Sequence, residues 1–106
     1  MVDHELDELR REFLTEAEEK VSEIESQLTL NDGKSLERLA YLAHQLKGSG
    51  GSYGYQRIST DAAEIEKAVE KMTNGDGSTV REKIRVHVAS LRSEIDRSAR
   101  ELSAGA

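Results

Sequence analysis

Apolar residues recur at steps of three and four through four stretches of the chain. The first runs Leu6, Leu9, Phe13, Ala17, Val21, Ile24 and Leu28 and predicts an amphipathic helix over about residues 5–30. Asn31, Asp32 and Gly33 break it. Asp32 suits the N-cap of a second helix from about residue 34, whose buried side holds Leu36, Leu39, Leu42, Ala43 and Leu46. On propensity alone this helix stops near Gly48. A third stripe, Ile58, Ala62, Ile65, Val69 and Met72, predicts a helix over about 56–73, ended by the turn cluster Asn74-Gly75-Asp76-Gly77. Thr79 and Glu82 have the spacing of a capping box, and the stripe Val80, Ile84, Val88, Leu91, Ile95 and Leu102 carries a fourth helix over about 79–102.

None of these stripes can bury itself alone. Short connections favour antiparallel neighbours around one apolar seam, so the expected fold is all-α: a single domain over 1–106, an up-down-up-down four-helix bundle. A dimeric coiled coil would use similar stripes between chains, but three turn clusters in so short a chain favour closure within one chain and hence a monomer. The absence of Pro and the scarcity of aromatic residues agree with helix throughout.

Charge and composition narrow the function. The chain has no Cys, which excludes disulfides, thiolate metal ligands and thiol nucleophiles and is compatible with a reducing cytoplasm. No apolar run approaches the ~20 residues needed to cross a bilayer, so no membrane association is expected. Asp and Glu outnumber Lys and Arg by 21 to 15, with both signs interspersed, which argues against nucleic acid as a partner. A metal centre is not expected: His4, His44 and His87 fall on different predicted helices, and His4-Glu5 lacks a second His four positions after the first. Lys47-Gly48-Ser49 has the wrong order for a phosphate-binding loop and follows no strand.

The residue that stands out is His44. At about 100° per residue it lies roughly 150° from the centre of the apolar side of helix two, and is predicted to face water. Its neighbours on that face are Ala40, Tyr41, Lys47, Gly48 and Gly51. Glycine within a helix is unfavourable by up to ~1 kcal/mol relative to Ala, yet Gly48, Gly50 and Gly51 fall within four positions. Room for a partner's backbone beside His44 would explain them; the plainer reading is that the helix ends there and His44 is a solvated surface residue. Lys47 stands one turn along on the same face.

The run Ala43-His44-Gln45-Leu46-Lys47-Gly48-Ser49-Gly50-Gly51-Ser52-Tyr53-Gly54 resembles the signature of histidine-containing phosphotransfer (HPt) domains of two-component phosphorelays, in which His is followed by Leu, Lys, Gly and a small-residue run. Arg11-Glu12-Phe13-Leu14 and Ala62-Ala63-Glu64-Ile65-Glu66 resemble the family's first and third helices. The resemblance implies that helix two continues through the glycines, over about 34–53. It also implies that His44 accepts and donates a phosphoryl group at imidazole Nε2, that Lys47 offsets charge on the phosphoryl oxygens during transfer, and that Glu66 is the position from which helix three reaches Nδ1. Gly50 stands where many relatives have Ser or Ala, implying a looser helix just beyond the site. The implied partners are response-regulator receiver domains and a sensor or hybrid histidine kinase. Mg²⁺ would be held by the receiver, with no cofactor on this chain and no kinase activity of its own. Tyr41, Gln45, Gly48, Gly51 and Tyr55 are the candidate partner contacts by helical position, with a cap on the core as the alternative place for Tyr55. The competing class is a helical interaction or dimerisation module whose exposed His is incidental.

Overall fold

The computed structural model describes residues 4–30, 32–73 and 78–104. They form the helices α1 (His4–Leu30), α2 (Gly33–Ser52), α3 (Gln56–Thr73) and α4 (Ser78–Ala104), with no strand among the described residues. The expected turn at Asn74 to Gly77, the break residue Asn31 and the Thr79 side chain of the expected capping box lie outside the described residues. α1 packs on α2, α2 on α3, α3 on α4 and α4 back on α1, without close backbone approach across either diagonal. This is the antiparallel up-down-up-down four-helix bundle.

Every helix delivers its stripe to one seam. Val21, Ile24, Leu39, Leu42, Leu46, Ile58, Ile65, Ile84, Leu91 and Ile95 are fully buried, and burying each such side chain contributes about 1.5–3 kcal/mol before chain entropy is set against it. The stripe of α1 departs from expectation at its start: Leu9 is 46% exposed, and Leu14, outside the predicted stripe, is buried in the core. At about 100° per residue Leu9 lies roughly 90° from the centre of the buried side that Phe13, Leu14, Ala17, Val21 and Ile24 define, whereas Leu6, one turn earlier, lies nearer that centre and is half-buried. Polar ties fix the helices laterally. Arg92 of α4 grips Glu25 of α1 through two hydrogen bonds of 2.8 and 3.1 Å, and Ser90 Oγ of α4 donates to Asp61 Oδ2 of α3 at 2.8 Å.

The two ends of α2 are set by local chemistry. Asp32 is its N-cap, with extended backbone and a side chain accepting from Ser35 N–H at 2.8 Å. That backbone hydrogen bond holds the Asp32 carboxyl below its ordinary pKa. Its folded value lies under its unfolded one, so the cap's contribution is present above the ordinary carboxylate range and is lost as pH falls through the folded value.

At the other end, Tyr53 N–H donates to Ser49 O, Gly54 N–H to Gly51 O and Tyr55 N–H to Gly50 O, the last two closing a Schellman motif around Gly54 at φ +84°. A Cβ at Gly54 would meet nothing within 4 Å, so only the left-handed backbone calls for glycine there. A Gly54→Ala substitution is expected to destabilise the domain by about 1 kcal/mol, read as a lower midpoint in urea unfolding with the slope unchanged. The turn delivers Tyr53 and Tyr55 onto Phe13 of α1, with ring centroids 5.2 and 5.7 Å away.

Candidate functional site

Leu42, Ala43 and Leu46 bury one side of α2 and turn His44 outward, where its side chain is 65% exposed. The antiparallel α3 runs beside it. Ile65 of α3 lies in the core, and its neighbour Glu66 emerges at the α2–α3 seam, where its side chain is only 24% exposed. His44 Nδ1 and Glu66 Oε2 are 2.9 Å apart. An ionised carboxylate can only accept, so this pairing assigns the ring proton to Nδ1 and leaves the Nε2 lone pair unused. Nε2 makes no hydrogen bond to the described residues. Lys47 Nζ lies 3.4 Å from the other oxygen, Glu66 Oε1, and its side chain is half exposed. One carboxylate thus serves both an imidazole and an ammonium, and the ammonium is free to swing outward.

Tyr41 stands on the same exposed face, one turn before His44, and its ring is held on two sides. Gln45 Nε2 donates to the hydroxyl at 2.8 Å, and the Arg38 guanidinium carbon sits 5.5 Å from the ring centroid. Arg38 in turn donates to both carboxylate oxygens of Glu23 on α1 at 2.6 and 3.1 Å. The Arg38 hydrogen bond holds the Glu23 carboxyl below its ordinary pKa.

The glycines of the motif divide by role. A Cβ at Gly48 would meet nothing within 4 Å, so that flank of His44 is open. At Gly51 it would lie 3.6 Å from Ser59 Oγ, an ordinary contact. Gly50 is buried, and a Cβ there would stand 3.1 Å from Ser59 N and 3.2 Å from Ile58 Cγ2. The bare backbone at Gly50 therefore lets the start of α3 press against α2.

Of the two places open to Tyr55, the structure shows the cap on the core and not the partner face. Tyr55 lies past the end of α2, half buried and stacked on Phe13, and burial pushes its hydroxyl pKa up. Spacing along α2 could not place it, because the Schellman turn redirects the chain one residue earlier.

The other histidines have different surroundings. His4 opens α1. His87 of α4 is half buried over α3, with Nδ1 3.7 Å from Asp61 Oδ1. Among the described residues no group of three His, Asp or Glu side chains is gathered as a metal would require, and no helix is long and apolar enough to cross a membrane.

Sequence reasoning passed over Ser59, whose Oγ donates to the Lys47 carbonyl at 2.7 Å. The sequence shows only that Ser59 precedes Glu66 by seven residues and so shares its helix face; its partner on α2 is set by the packing of the two helices. The family model described as Hpt domain matches residues 8–101, a span that takes in His44, Lys47, Ser59 and Glu66. No curated protein and no solved structure matches the chain.

Proposed function

The chain belongs to the Hpt domain family, whose members carry phosphoryl groups on histidine in two-component phosphorelays, and from that premise we propose that His44 is the carrier residue. The observation that carries this reading is an imidazole that is 65% exposed yet held at Nδ1, 2.9 Å from the Glu66 carboxylate.

In the proposed step a receiver domain presents its aspartyl phosphate to His44. The Nε2 lone pair forms the new N–P bond as the acyl O–P bond breaks, and the aspartate leaves as a carboxylate. The ring gains positive charge and keeps its Nδ1 proton, which the Glu66 carboxylate stabilises. Lys47 turns from Glu66 toward the phosphoryl oxygens as their charge builds beside it. Transfer onward to a second receiver reverses these roles. The Mg²⁺ that the receiver holds completes the charge balance, and this chain adds neither a cofactor nor kinase activity. Tyr41, Gln45, Gly48 and Gly51 form the face against which a receiver or the histidine kinase docks. The working state in this proposal is a cytoplasmic monomer.

The test is phosphoryl uptake. Mixed with a phosphorylated receiver, the domain is expected to acquire label that is labile to acid and stable to alkali while the receiver loses it. A domain that stays unlabelled with each of several receivers would mark His44 as incidental to a binding module.

A further inference from the structure

The distance between His44 and Glu66 depends on how α3 is seated along α2, and apolar packing alone is a poor axial ruler because it is non-directional. A directional bond stands next to the site. Ser59, in the first turn of α3, donates through Oγ to the backbone carbonyl of Lys47 at 2.7 Å. Its own N–H donates to Tyr55 O at 3.1 Å, the first helical bond of α3, so Ser59 stands at the rigid start of that helix. The absent side chain of Gly50 lets this backbone approach, since a Cβ there would be 3.1 Å from Ser59 N.

The spacing then carries the effect to the site. Glu66 lies seven residues beyond Ser59, and His44 lies seven residues before Gly51, the α2 residue that faces Ser59 Oγ. Seven residues is two turns, about 10.5 Å, on each of two antiparallel helices. Fixing Ser59 against the Lys47–Gly51 turn therefore fixes Glu66 against His44.

We propose that Ser59 is a positioning residue for phosphoryl transfer: its hydrogen bond to the Lys47 carbonyl sets the axial register of α3 on α2 and thereby holds Glu66 at His44 Nδ1. The proposal rests on His44 being the carrier. Ile58, Ala62 and Ile65 keep α3 in the core without the hydroxyl, so a Ser59→Ala domain is expected to fold.

The experiment follows two quantities in the full chain: the rate of uptake from a phosphorylated receiver, and the His44 tautomer read from imidazole ¹⁵N shifts. Ser59→Ala is expected to slow uptake about fivefold, the scale of one hydrogen bond, and to move His44 from the Nδ1–H form toward a tautomer mixture. Ser59→Thr, which keeps the hydroxyl, is expected to restore both. In a Glu66→Ala background the Ser59 substitution is expected to add nothing, because its effect passes through Glu66.

An unchanged tautomer and rate in Ser59→Ala would overturn the proposal, as would a rate loss that persists undiminished in the Glu66→Ala background. Should Ser59→Ala prove unfolded, the Thr variant decides: parental rate and tautomer support the hydroxyl's role, and loss of either overturns it. If the parent takes label at a residue other than His44, the carrier assignment itself has failed, and the tautomer measurement still reports separately on whether Ser59 holds Glu66 in place.

Discussion

A His44→Gln variant is expected to take up no phosphoryl group from a receiver that labels the parent, a loss limited only by the sensitivity of the assay. The substitution removes the exposed ring whose Nδ1 is held at Glu66, and an amide nitrogen has no comparable lone pair to attack phosphorus. Its folding cost is expected to be small. The replaced side chain is 65% exposed, surface changes of this kind fall within about 0.5 kcal/mol, and the Gln amide can still donate toward Glu66. Urea unfolding and receiver uptake measured on the same sample separate the two effects. A variant that melts with the parent but still takes label would place the carrier elsewhere.

The second large effect is expected at Glu66. A Glu66→Ala domain should transfer about 10- to 100-fold more slowly, the range seen when a group orienting a functional histidine is removed. Two contributions are lost together: the acceptor at 2.9 Å that holds the proton on Nδ1, and the anion that offsets positive charge as the ring is phosphorylated. Glu66→Gln divides them, since an amide oxygen still accepts from Nδ1–H but carries no charge, and its rate should fall between those of the parent and the Ala variant. Lys47, 3.4 Å from the same carboxylate and half exposed, is left solvated rather than stranded, so stability should change little. Single-turnover uptake compared across the three proteins checks the order; a Glu66→Ala domain as fast as the parent would remove Glu66 from the mechanism.

How much of this was readable from the chain depended on the range of the interaction involved. The helices were legible because each carries a stripe of period 3.6, with clusters of Gly, Asn and Asp after the first and third stripes, and the outward direction of His44 follows from the same period. Leu9 was misread because steps of three and four admit either Leu9 or Leu14 beside Phe13, and only the packed bundle shows that the buried side passes through Leu6 and Leu14 instead. The motif glycines looked alike in sequence, yet Gly48 faces open space while Gly50 meets the backbone of α3, a difference made by a helix several residues further along. Helical position left Tyr55 open between the partner face and the core, and the turn at Gly54 decides it by stacking Tyr55 on Phe13. Family resemblance pointed to Glu66, but its contact with His44 spans 22 positions and needs the α2–α3 register, which no local pattern encodes. Ser59 went unnoticed for the same reason: a serine in a first helical turn looks like ordinary surface until the Lys47 carbonyl is found 2.7 Å away.

The central claim is that phosphorus bonds to Nε2 of His44 while Nδ1 remains protonated toward Glu66. It can be read directly by NMR of ¹⁵N-labelled protein phosphorylated by a receiver under alkaline-stable conditions. The expected spectrum shows ³¹P–¹⁵N coupling at the Nε2 resonance of one imidazole, assigned to His44. Coupling at Nδ1 of His44, or at a ring nitrogen of His4 or His87, would contradict it.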